Sequence, residues 1–157
     1  MRILYLSKNI SNYKAANYQK EFLNALSKVT SLFVYGPGYS YFDSKKTVDD
    51  IINLYGPFNC IFIGHFWLHD GKQMQIDPWP QSGLSKTSYK KFIFLNKEYA
   101  NLDKKLNWIK KINLIVFFHI IITVKYGNQT LKLILDFYLL HIMISIFCIQ
   151  KLKKNMI

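Results

Sequence analysis

The sequence predicts an α/β domain on a parallel sheet, a Rossmann-like arrangement of about five strands with helices on both faces. Two observations predict it. Short apolar runs recur through the first three-quarters of the chain, and amphipathic segments with helical spacing separate several of them. The clearest unit is KFIFLNKEYANLDKKLNWIKKINLIVFF, from Lys91 to Phe118, which reads strand, helix, strand. Parallel strands need crossovers, and such sheets bind ligands outside the carboxyl ends of their strands. Loops that follow strands are therefore where chemistry is expected.

The elements follow in order. Ile3–Leu6 is a continuous apolar run, as a strand buried on both faces requires. The start, MRILYLSKN, turns polar after four apolar residues, too short for a secretory leader. After the polar loop Ser7–Asn12, residues Tyr18, Phe22, Ala25, Leu26 and Val29 form one apolar stripe at helical spacing. Leu32–Tyr35 is the second strand, closed by Gly36-Pro37-Gly38. Thr47 with Asp50 three residues on predicts a capping box. The helix that follows should bury Val48, Ile51, Ile52 and Tyr55, and Gly56-Pro57 should stop it. Cys60–Gly64 is the third strand, and a long loop with two prolines and two aspartates reaches to Ser88. Phe92–Leu95 is the fourth strand. The next helix is expected to bury Leu102, Leu106 and Ile109 and to expose Lys104, Lys105, Lys110 and Lys111. Leu114–Phe117 is the fifth strand.

At 157 residues, half of them hydrophobic, the chain can bury one domain core. Its net charge of +12 would suit nucleic acid, an anionic membrane surface or a phosphorylated substrate. The lysines are dispersed, however, and form no stripe interleaved with aromatics, so no nucleic-acid partner is expected. Cys60 and Cys148 are the only cysteines, too few for a disulfide framework or a zinc site, which points to a reducing, cytoplasmic setting.

Three loops after strands carry the candidate chemistry. The first is YGPGY, Tyr35–Tyr39, where glycine lets the backbone approach a ligand or adopt positive φ and Pro37 stiffens the turn. The second is GHFWLHD, Gly64–Asp70, continuing to Ile76–Pro80. His65 there can take a proton from a hydroxyl, and Trp67 and Trp79 can stack on a sugar or base. His65, His69, Asp70 and Asp77 follow no metal-ligand spacing, so neither a metal nor another cofactor is expected. The third loop brings Asn96, Lys97 and Glu98 to the end of the fourth strand. SKNISN stands after the first strand in place of G-x-G-x-x-G, which excludes a dinucleotide site of the usual kind.

In order and placement, YGPG (Tyr35–Gly38), G-H-x-W-x-x-D (Gly64–Asp70) and FLNKEYANLDKKL (Phe94–Leu106) resemble the N-terminal half of bacterial-type glycosyltransferases of the two-domain GT-B architecture. The CgeB-like and family 1/4 groups are the most similar, and the likeness covers about residues 1–118. It implies an acceptor-side domain, 1–118. In the parent reaction a nucleotide-sugar donor gives its sugar to an acceptor hydroxyl, the donor held by a further C-terminal domain. His65 would be the base, His119 the second candidate, and Asp70, Gly36, Gly38, Trp67, Asn96, Lys97 and Glu98 would shape or contact the acceptor site.

The pattern breaks after Phe118. The remaining 39 residues hold one acidic group, Asp136, among Ile, Leu and Phe runs. The sequence here is expected to be an out-of-frame continuation, leaving a chain without its donor domain and inactive alone. The alternative makes residues 119–157 a genuine apolar helical tail. Its segment 131–149 would anchor an α/β interaction module at a membrane, although Lys132, Asp136 and His141 make insertion costly.

Overall fold

A computed structural model gives the fold, and it describes residues 1–13, 16–64, 66–73, 75–95 and 100–117. Residues 119–157, read from sequence as an apolar tail, lie outside these. The described elements are β1 (Arg2–Leu6), α1 (Ala16–Val29), β2 (Ser31–Tyr35), α2 (Val48–Tyr55), β3 (Cys60–Ile63), β4 (Lys91–Phe94), α3 (Leu102–Lys111) and β5 (Ile115–Phe117). All strand pairs are parallel, in the spatial order β2-β1-β3-β4-β5. The α/β class read from the apolar rhythm is the one observed.

The connectivity supplies the strand order that the sequence pattern left open. In a Rossmann sheet the third strand continues outward beyond the second; here it returns to the far side of β1, giving the flavodoxin-like order. Burial supplies the reason. The β3 run CIFI is buried at every position, whereas β2 is exposed or half-buried at all but its last residue. A strand apolar on both faces belongs inside the sheet, and the more polar SLFVY tolerates the edge. Helical periodicity alone does not say on which side a crossover lands.

Right-handed crossovers then assign the helices to faces. Going from β1 outward to β2, α1 covers one face, where Phe22 packs against Tyr5 and Phe94. The other face carries Leu4, Leu6, Tyr35, Ile61, Ile63 and Ile93, covered by Val48 and Ile51 of α2 and by Trp108 and Ile109 of α3. The capping box forms as read, with Thr47 and Asp50 bonded reciprocally. Between β3 and β4 the described residues hold no α-helix, only one 3-10 turn at Pro80–Ser82. In place of a helix, Trp67, Leu68, Trp79 and Leu84 are buried against the sheet.

Some helix faces differ from the expectation. Val29 and Leu102 are exposed. The buried stripe of α3 and its cap is Lys105, Trp108, Ile109 and Ile112, so Lys105 lies inside rather than in solvent. That registration is one helical position away from the one expected. It follows the large Trp108 ring, which carries more apolar surface than Leu102.

Gly64 ends β3 where no side chain fits: a Cβ there would lie 2.5 Å from the Tyr5 hydroxyl and 2.9 Å from its Cζ. Gly64→Ala is expected to destabilise the fold by about 2 kcal/mol. Tyr5→Phe removes the hydroxyl but leaves Cζ 2.9 Å away, so adding it should recover only part of that loss in urea titrations; equal losses in the single and double variants would contradict the contact.

Candidate functional site

The parallel sheet gathers the loops after β1, β2 and β3 on one edge. The ladder between β1 and β2 continues past the strands: Ser7 N–H donates to Tyr35 O at 3.0 Å, and Asn9 N–H to Pro37 O at 2.9 Å. Gly36 lies at φ 152° over the Ser7 carbonyl and the Trp67 ring, and a Cβ there would meet that oxygen at 2.2 Å. Gly38, at φ 88°, packs on Asn9, whose side-chain amide donates to its carbonyl at 3.2 Å. The two glycines thus lock the first two loops together, and Gly36 brings them against the third.

Trp67 does not offer a stacking platform. It is fully buried, with Trp79 edge-on at 6.5 Å, and its indole N–H has no hydrogen-bond partner among the described residues. An apolar ring beside a strand end is used as core wall, and this corrects the sugar-stacking expectation for Trp67. Trp79 is also buried, donating its indole N–H to Ser44 O at 3.2 Å.

Asp70 belongs to a polar knot that ties the β3 loop to α3. Its carboxylate accepts from Lys105 Nζ at 2.5 Å, and its backbone carbonyl from the Asn101 amide at 2.8 Å. Lys105 is 1% exposed and Asp70 30% exposed. Asp77 does the same work farther along, accepting from Trp79 N–H at 2.9 Å and from the Trp108 indole at 2.8 Å.

At the switch point, where the chain leaves β1 on one side and β3 on the other, Lys8 and His69 face each other. Lys8 Nζ lies 3.4 Å from His69 Nδ1, and both side chains are half-buried. The buried Gln19 holds the first loop from below, donating to Ser7 Oγ at 2.6 Å and Lys8 O at 2.8 Å. Burial pulls the Lys8 ammonium down to about 8, with Asp70 opposing and Lys105 adding to the effect. Burial also lowers His69 below the usual imidazole range, reinforced by Lys8 and opposed by Asp70 and Asp77. The result is a neutral imidazole and a partly deprotonated amine at neutral pH, beside a fixed ion pair.

The Lys8 shift has a measurable sign. Below about pH 8 the folded protein bears the full cost of a charged, half-buried Lys8. As the pH climbs from about 8 toward the ordinary value of 10.5 the unfolded chain binds more protons, so stability rises. The urea midpoint of Lys8→Met should therefore exceed that of the wild type most at pH 7, with the gap shrinking by pH 10. A gap independent of pH would contradict the assignment.

Of the residues read from sequence as functional, Gly36, Gly38, Trp67 and Asp70 meet on this edge. His65, Asn96, Lys97, Glu98 and His119 lie outside the described residues. Lys8 and Lys105 went unread. The signal for Lys105 was present, since it falls three residues before Trp108 and four before Ile109, on the buried face. No group of three or more metal-ligating side chains occurs among the described residues. Among them, too, no helix is long and apolar enough to cross a membrane. Burial pushes the Cys60 thiol up to about 11, away from nucleophilic use. Comparison with protein-family models, with curated proteins and with solved structures finds no match.

Proposed function

We propose that residues 1–118 are the acceptor-side domain of a nucleotide-sugar-dependent glycosyltransferase. The observation that carries this reading is the meeting of three separated motifs on one edge of the sheet. Gly36 of the first lies against Trp67 of the second, and Asn101 and Lys105 of the third are bonded to Asp70 of the second. Segments that merely punctuate a fold need not touch one another; a binding edge requires it.

On this reading the acceptor hydroxyl sits between the loops after β1 and β3. His65 takes its proton as the sugar is transferred, and the neutral His69 stands beside Lys8 in the loop after β3. Asp70 acts as a positioning residue: its carboxylate is committed to Lys105, so it holds the loop rather than the acceptor. The donor is gripped by a separate domain, because the loop after β1 carries Ser7, Lys8 and Asn9 in place of a glycine-rich phosphate cradle.

Saturation-transfer NMR on the full chain tests the proposal, using a panel of mono- and disaccharides alongside nucleotide sugars and flavin mononucleotide. Saccharide signals that disappear in His65→Ala are expected, with no signal from the nucleotides. Binding of flavin or nucleotide, or no saccharide bound at millimolar concentration, would overturn it.

A further inference from the structure

Lys8 is a nucleophile on the ligand-binding edge that the proposed transfer does not use. It follows β1 at the switch point, is half-buried, and points its Nζ at His69 Nδ1, 3.4 Å away on the loop after β3. Close by, the buried Lys105 ammonium is held in place by Asp70. Asp70 acts on Lys8 more strongly than that cation and in the opposite sense, so burial is the main influence, and a half-buried amine facing an imidazole is an arrangement that activates lysine toward carbonyl carbon.

We propose that Lys8 is a Schiff-base lysine for small aldehydes or ketones, with His69 as its proton-transfer partner. The free amine attacks the carbonyl carbon, forming the C–N bond and, after proton transfer to oxygen, a carbinolamine. His69 receives the proton leaving nitrogen and returns it to the departing hydroxyl. Water leaves, the imine remains, and no oxidant or reductant enters. The proposal stands apart from sugar transfer, since it needs neither a donor domain nor His65.

Its supply of free base is favourable. With Lys8 near 8, about a tenth of the population is unprotonated at pH 7, against a few parts in ten thousand for an ordinary lysine. Half-burial and weaker intrinsic nucleophilicity offset part of that gain, leaving roughly a tenfold advantage over solvent-exposed lysines.

The test exposes the full chain at pH 7 to substoichiometric glycolaldehyde with cyanoborohydride, which reduces each imine to a stable amine. Peptide mass mapping then reads every lysine. Lys8 should be labelled about tenfold faster than the exposed Lys28 and Lys86, and His69→Gln should slow Lys8 several-fold while leaving those two unchanged. Lys8→Arg should remove the fast site without altering the other rates, which shows that the fold is retained. Labelling of Lys8 no faster than Lys28 and Lys86 overturns the proposal, as does a Lys8 rate indifferent to His69→Gln.

Discussion

Asp70→Ala is expected to lower the unfolding free energy by about 3 kcal/mol, the usual result of removing one partner of a buried ion pair. The two partners are not equivalent. Lys105 is 1% exposed and Asp70 30%, so the aspartate change takes a carboxylate partner from the deeper charge. Lys105→Met leaves a carboxylate that still reaches water and puts an apolar chain of similar length beside Trp108. It should cost about 1 kcal/mol. Combining Lys105→Met with Asp70→Ala should recover most of the loss seen for Asp70→Ala alone. Urea unfolding at pH 7 measures all three, and a Lys105→Met cost equal to that of Asp70→Ala would refute the asymmetry.

Gly36→Ala is the second large effect. At φ 152° an alanine is strained whatever the space around it, and here there is none: the new Cβ would lie 2.2 Å from Ser7 O and 2.9 Å from the Trp67 ring. Ser7 O belongs to backbone that is itself tied to Tyr35, so it cannot yield without breaking the extended ladder. A loss of about 3 kcal/mol or more is expected, by urea midpoint, together with loss of saccharide binding. Gly38→Ala should cost less, since its φ of 88° is strained but its nearest neighbour is the Asn9 side chain at 3.1 Å. Equal effects at the two positions would mean that Gly36 is not the junction of the three loops.

Much of the fold was legible because it rests on local patterns. Period and punctuation marked β1, β2, α2, β3 and β4, and Thr47 with Asp50 marked the start of α2. Strand order was not legible. Whether β3 passes beyond β2 or returns past β1 depends on which strand better tolerates an edge, a comparison among strands rather than a property of one. The site was read in half. Glycine-rich turns and an aspartate after β3 announce themselves as motifs, but Lys8 lies in SKNISN, a segment with no pattern of its own. It gains meaning only when the switch point places His69 opposite. Trp67 shows the converse error: an aromatic ring in a polar loop suggested a stacking platform, yet the missing crossover helix left apolar surface that Trp67 and Trp79 had to cover.

The central claim is that the edge formed by the loops after β1, β2 and β3 binds a saccharide. Amide chemical-shift mapping of the full chain with a saccharide from the binding panel tests it most directly. Shifts are expected to concentrate at residues 7–9, 36–39 and 66–70, with the opposite edge around Asn59 and Lys90 unmoved. Shifts centred on that opposite edge, or the same three loops responding to flavin mononucleotide and not to sugar, would contradict it.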